Sequence, residues 1–277
     1  MHVFGPYGRF PLVAERVYTV AEAPIAEHER MKRAVGLERT VLVQASGHGT
    51  DNGAMLAALA QLGPRGRAVA VVDERTPRRD LEALHAAGVR GLRLNFQTQR
   101  ERYAGDPGAW LAKFEALAAP FGWHLQLFCD ARMLAGMESF LLKANSIIVI
   151  DHMGLPEAAA GIGQPGFQAL LRLLKAKHGW VKLAGADRVA QASGRLRDAI
   201  PFMQALVAAA PERMVWGSDW PNIGFHSRRL VHDDAILPYR DLDAGELLDV
   251  LIEAVPDAAT RRAILEANPE QLYGFGR

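Results

Sequence analysis

Groups able to do acid–base chemistry recur where short apolar runs end. Met214-Val215-Trp216-Gly217-Ser218-Asp219-Trp220-Pro221 reads as a strand closing on a carboxylate, with Val215, Gly217 and Asp219 in one phase and Pro221 as the stop. Ile148-Val149-Ile150-Asp151-His152 closes on an imidazole in phase with Ile148 and Ile150, and His2 sits beside the apolar fragment Val3-Phe4. A carboxylate and imidazoles within reach of one atom can draw a proton from water and return it to a leaving group. Singly, such residues have plainer roles: a strand-end Asp caps a turn, and a strand-end His satisfies a core partner. Their convergence is what argues for chemistry.

Binding groups fall in the same positions. In Arg90-Gly91-Leu92-Arg93-Leu94-Asn95, the phase of Leu92 and Leu94 belongs under helices, which turns Gly91, Arg93 and Asn95 inward. A buried guanidinium needs an anion, either a ligand's or a neighbour's such as that of Asp73. In His124-Leu125-Gln126-Leu127-Phe128 the inward phase offers Gln126 as a hydrogen-bond donor, with His124 deeper against a core partner. Gln44 and Ser46 share a phase, and Ser46 ends its run. Cys129 has no activating neighbour in sequence and reads as packing.

The elements needed to position these groups follow one rhythm. Strands are predicted at residues 40–46, 68–72, 89–96, 124–128, 146–150, 180–183 and 214–219, with a fragment at residues 2–4. Helices are predicted between them at 23–35, 54–62 (capped by Asp51 or Asn52), 80–87 (closed by Gly88), 110–119 (begun after Asp106-Pro107), 131–143, 167–177 and 195–210. Two more, 244–254 and 258–266, finish the chain. Eight strands alternating with helices and no linker predict an α/β fold, a single (β/α)8 TIM barrel domain over residues 1–277 with its first strand truncated at the N-terminus. A doubly wound open sheet would be expected to carry a nucleotide-binding glycine motif, and none is present.

Bulk properties narrow the function. Of 277 residues, 32 are basic and 31 acidic, a formal charge of +1 that points to neither nucleic acid nor an anionic membrane. Hydrophobic residues make up 49%, yet no run is long enough to span a bilayer. The single cysteine excludes an intrachain disulfide and a thiolate zinc cage. A cytoplasmic, soluble, globular protein is expected, homo-oligomerisation being left open.

Several stretches carry a resemblance to a known family. They include Gln44-Ala45-Ser46-Gly47-His48-Gly49-Thr50-Asp51-Asn52, Asp151-His152-Met153-Gly154, Lys182-Leu183-Ala184-Gly185-Ala186-Asp187-Arg188 and Gly217-Ser218-Asp219-Trp220-Pro221. With His2-Val3-Phe4-Gly5-Pro6 and Asn268-Pro269-Glu270-Gln271-Leu272-Tyr273-Gly274-Phe275, they run nearly the length of the chain. The chain resembles the amidohydrolase superfamily, its amidohydrolase-2 group, and within that the pyrone and sugar-acid lactonases such as the 2-pyrone-4,6-dicarboxylate lactonases. The resemblance implies a barrel enzyme of aromatic-compound catabolism that opens a carboxylated lactone with water and needs no metal or other cofactor. It implies Asp219 as the base, and His2 and His152 as groups that polarise the carbonyl. Arg93, Arg188, Ser46, His48 and Arg100, with Gln126, would hold the substrate. The family pattern places Asp-x-His-x-His on the first strand, where His2 stands for the second histidine and the first has no counterpart. Alternatives are one divalent zinc or manganese on His2, His152 and Asp219 in a decarboxylase or hydrolase, a sugar-acid lactonase or lactone isomerase, and an impaired carboxylate-binding barrel.

Overall fold

The computed structural model describes residues 1–99, 101–176, 179–225 and 235–276. Among the described residues, seven parallel strands stand in the sheet in chain order. By packing, the chain divides into two compact units, Met1–Arg93 with Asp219–Ala244 and Leu94–Ser218 with Gly245–Arg277.

The first unit contains α1 (Ile25–Ala34), β1 (Thr40–Val43), α2 (Gly53–Leu62), β2 (Gly66–Ala70), α3 (Arg78–Ala87) and most of β3 (Val89–Asn95). β1 runs beside β2 from Thr40↔Gly66 to Val43↔Val69, and β2 beside β3 with a register shift after Ala68. Gly88 closes α3 at φ 109°, a left-handed conformation that costs glycine no Cβ clash. Asp51 accepts the Gly53 N–H, while the Asn52 side chain pairs with Val71 through both its main-chain groups (2.8 and 3.2 Å). The amide of Asn52 thus behaves like a strand residue added beyond the end of β2.

Residues 1 and 2 do the work expected of the first strand. The Met1 amino group donates to Val41 O, Met1 O accepts from Val43 N at 2.8 Å, and His2 N donates to Trp220 O at 2.8 Å. One dipeptide is thereby tied to β1 on one side and to the segment after Ser218 on the other. Phe4 then makes an antiparallel bridge to Ala23, in a core of Phe4, Tyr18, Val20, Ala23, Ala45 and Ile223.

The second unit contains α4 (Pro107–Ala118), β4 (His124–Phe128), α5 (Ala131–Leu141), β5 (Ile148–Ile150), α6 (Pro165–Lys175), β6 (Gly179–Leu183), α7 (Ala186–Val189), α8 (Ile200–Ala209) and β7 (Met214–Trp216). Leu125 pairs with Ile148, Ile148 with Gly179, and Val181 with Met214, all in parallel. Strands covered on both faces need apolar residues in both phases, which explains their near-continuous Val, Ile and Leu content. Asp106 caps α4 through Gly108 N and Ala109 N, with Pro107 in its first turn, and Asp130 caps α5 through Met133 N. The chain ends in α9 (Ala244–Ala254), α10 (Ala258–Arg262) and α11 (Asn268–Tyr273). A π-helical turn, Ala263–Ala267, joins the last two and presents Asn268 Nδ2 to Pro211 O and Met214 O, both at 2.8 Å. Asn268 therefore anchors the start of β7.

One expected strand end is shorter than the sequence pattern suggested. β7 stops at Trp216 rather than at 219, while β5 ends at Ile150 as expected, so neither Asp219 nor His152 is a strand residue. Both take left-handed backbone, φ 54° and 50°. Side chains alternate only along extended chain, so the phase of the strand does not carry through to these two positions.

Candidate active site

In the first unit, His2, Arg93 and Asp219 are near enough for the charges of the last two to act on the imidazole. His2 Nδ1 lies 2.8 Å from Val43 O. A carbonyl oxygen can only accept, so Nδ1 carries the proton. Burial, then the positive charges of Arg93 and the amino terminus, lower the imidazole pKa to about 3, with Asp219 and the Val43 bond opposing. His2 is neutral at neutral pH, and its Nε2 bears a lone pair. Carbonyl polarisation, the role implied by the resemblance, needs a proton on Nε2 that this tautomer lacks.

Asp219 follows β7 by three residues, in a turn closed by Asn222 N donating to Asp219 O at 2.9 Å. Asn222 is also left-handed, φ 60°. Non-glycine residues held there cost of order 1–3 kcal/mol each, and such strain gathers at functional sites. Arg240 reaches this carboxylate, its Nη2 3.5 Å from Asp219 Oδ2, while Nη1 donates to Ile223 O and the guanidinium lies 4.7 Å from the centre of the Phe225 ring. Sequence reasoning missed Arg240. It lies 21 positions beyond Asp219 in a stretch without periodicity, and no local signal marks it.

Arg93 is 4% exposed, and its Nη1 is 3.5 Å from Gln44 O. The alternative partner, Asp73, uses Oδ1 to accept Arg75 N at 2.9 Å. The Gln44 amide donates to Gly49 O and Asp51 O, fixing the 47–52 loop. Ser46 Oγ is 2.9 Å from the hydroxyl of Tyr18. His48 turns Nδ1 to Pro11 O and stacks on Phe4, while its Nε2 is buried without a hydrogen bond. Burial lowers its pKa. His48 is thus packed into the loop core with its second nitrogen sealed from solvent.

In the second unit, Asp151 and His152 follow β5 directly. Asp151 is held on both oxygens, by Gln126 Nε2 at 2.9 Å and by Lys182 Nζ at 3.0 Å. Gln126 is fully buried, so its donor is committed within the protein. The clamp fixes the start of the turn in which His152, Met153 and Leu155 are all left-handed. Lys182 lies inside a stretch that carried the family resemblance, yet only the structure gives it a role. The His152 ring meets Phe128 edge-on at 5.0 Å. Gly185, at φ 72°, lets His152 and Arg188 approach: a Cβ there would lie 3.0 Å from His152 Cδ2 and 3.2 Å from Arg188 Cδ. His124 packs edge-on against Tyr273, 5.5 Å away. Burial, with Asp130 and Asp151 nearby, pushes the Cys129 thiol up, in keeping with a packing role. Arg100 lies outside the described residues. Among the described residues, no three His, Cys, Asp or Glu side chains gather as a metal-holding group.

Parallel strands in chain order, with acidic, imidazole and guanidinium groups at or just past their carboxyl ends, define an enzyme of the α/β-barrel class. The chain belongs to the amidohydrolase family, whose model (Amidohydro_2, amidohydrolase) matches residues 1–275. It is 32% identical over 274 residues to a 4-sulfomuconolactone hydrolase of Rhizobium radiobacter, covering 99% of this chain and 88% of that one. It is also 32% identical over 281 residues to a 2-pyrone-4,6-dicarboxylate hydrolase of Comamonas testosteroni, covering 98% and 88%. A Pseudomonas putida crystal structure described as a 2-pyrone-4,6-dicarboxylic acid hydrolase superposes with a TM-score of 0.79 at 30% identity, over 100% of this chain and 96% of that one. The fold class is accordingly the (β/α)8 barrel of the amidohydrolases.

Proposed function

We propose that this protein hydrolyses an anionic lactone of the pyrone-dicarboxylate or sulfomuconolactone type, without a metal. The reading rests chiefly on two near-full-length relatives, each 32% identical, named as hydrolases of such lactones. The chemistry of the residues agrees with it. Guanidinium forks suit the planar anions of such a substrate, and Arg93 and Arg188 supply them, with Ser46 as a further contact. Asp219 takes the proton from the attacking water. His152 polarises the lactone carbonyl, and a donor aimed at a forming oxyanion contributes about 3 kcal/mol. Arg240 steadies the Asp219 carboxylate. Gln126 and His48, expected at the substrate, act from behind it by fixing Asp151 and the 47–52 loop. The substrate is a small soluble metabolite and the enzyme works in the cytoplasm. No helix among the described residues is long and apolar enough to cross a membrane.

The test is a ring-opening assay followed by absorbance. Purified protein, with its metal content measured, is given 2-pyrone-4,6-dicarboxylate, 4-sulfomuconolactone and an uncharged lactone. Turnover of an anionic lactone by metal-free protein, lost by roughly 10²–10⁴-fold in Asp219→Asn, supports the reading. No turnover of either anionic lactone, or turnover restored only by zinc or manganese, overturns it.

A further inference from the structure

The pair Asn52-Gly53 occurs once in the chain, and it is the setting in which an asparagine amide is most readily lost. A glycine nitrogen has no neighbouring side chain to shield it, so it can attack the asparagine side-chain carbonyl carbon and close a five-membered imide. Two features of the first unit oppose that attack. The Asn52 amide is held at both ends, Nδ2 donating to Val71 O at 2.8 Å and to Thr50 O at 3.0 Å while Oδ1 accepts Val71 N at 3.2 Å. The attacking nitrogen is engaged as well, since Gly53 N donates to Asp51 Oδ1 at 2.9 Å. It must shed that proton to attack, and a negative nitrogen beside a carboxylate is electrostatically opposed. The backbone is tied too, for Asn52 O accepts Leu56 N at 2.9 Å at the start of α2. The glycine that makes the pair reactive is the residue that the space admits. A Cβ at position 53 would lie 2.9 Å from Asp51 Oδ1 and 3.0 Å from the Phe10 ring.

We infer that Asn52 is a site of spontaneous deamidation, held shut by the folded loop and released when the loop opens. The inference is independent of the lactone reading. In the opened chain, Gly53 N gives its proton to solvent and bonds to Asn52 Cγ. The Cγ–Nδ2 bond breaks, and the side-chain nitrogen leaves as ammonia with a proton from water. Water then adds to the imide and breaks one of its two C–N bonds, which yields aspartate or, through the other, isoaspartate. The sum is amide plus water giving acid plus ammonia, with no oxidant or reductant. Neither product rebuilds the tie to Val71. A carboxylate has no hydrogen to give the Val71 and Thr50 carbonyls, and isoaspartate lengthens the main chain by one carbon at the start of α2. An aspartate that turned back to cap α2 would leave Val71, 1% exposed, without this partner on either main-chain group. The Gln44 amide binds the same loop at Gly49 O and Asp51 O, so the damage reaches the segment that carries Ser46 and His48. Prolonged opening thus becomes irreversible through one side chain.

The full chain is held at mildly alkaline pH, one sample folded and one in guanidinium chloride, and the tryptic peptide of residues 40–65 is followed by mass spectrometry. The peptide from the unfolded sample should gain the mass of an amide-to-acid change at least about tenfold faster than that from the folded sample. A smaller ratio, or an unfolded chain that keeps its amide, overturns the inference. Asn52→Asp, which carries the product side chain from the start, should unfold at a lower denaturant midpoint than the native sequence. A midpoint equal or higher overturns the claim that the product cannot rebuild the tie. The peptide measurement uses the native sequence and decides the matter if that variant does not fold.

Discussion

Mild acid should weaken this protein well before its carboxylates titrate. Two buried histidines, His2 and His28, have pKa values lowered from 6.5 to about 3. For His28 the causes are burial first, then the positive amino terminus and Lys32. Glu29 lies 3.9 Å from its Nδ1 but is already bound to Lys32 at 2.6 Å, so the ring gains little from it. The unfolded chain protonates such a ring below its ordinary 6.5, while the folded chain resists until about 3, so acid favours unfolding across that window. Integrating from pH 7 to pH 5 gives about 2 kcal/mol per histidine and about 4 kcal/mol for both, against about 5–15 kcal/mol for a typical domain. Carboxylates with lowered values, such as Glu138 beside Arg172, lose their stabilising effect only below their ordinary 4.5 and leave this window clear. Urea unfolding at pH 7 and pH 5 measures the loss, and His28→Gln should remove about half of the pH dependence. Stability that is flat across the window would refute the neutral, buried state assigned to both rings.

Replacing Arg93 or Arg188 by Ala should raise KM for a dicarboxylate lactone by about 10- to 100-fold, the loss of one charged hydrogen bond, with little change for an uncharged lactone; equal effects on the two substrates would remove both residues from anion binding. Gly185→Ala puts a methyl 3.0 Å from His152 Cδ2 at φ 72°. It should lower kcat by up to about 100-fold through misplacement of the imidazole while the protein stays folded by circular dichroism. Lys182→Met leaves the buried Asp151 carboxylate with only Gln126 from this clamp. Thermal or urea unfolding should register about 3–5 kcal/mol of lost stability, much of it recovered when Asp151 is replaced by Asn as well.

The strands were legible as short runs rich in Val, Ile and Leu between turn signals, and the predicted spans at 89–96 and 124–128 differ from β3 and β4 by a residue or none. Helix starts were legible where a cap announced them, as at Asp106-Pro107. The turns that hold Asp219 and His152 were not. Asp219 and His152 were reached by extending the strand alternation past its end, yet both sit in left-handed backbone that only the surrounding packing dictates. Arg240 and Lys182 were overlooked for a related reason. Each acquires meaning from a carboxylate distant in sequence, Asp219 for one and Asp151 for the other, and no local pattern encodes that pairing. The tautomer of His2 likewise depends on Val43, 41 positions away.

The π-helical turn before Asn268 has a consequence for how the chain tolerates change. Each residue added to or removed from a helix rotates the later turns by about 100°. Excising one residue from 263–267 would regularise the coil and swing the Asn268 amide off the Met214 carbonyl that it grips. Met214 begins the strand that leads, five positions later, to Asp219. A shortening of that turn would therefore be felt at the start of β7, and length there should be harder to alter than its side chains.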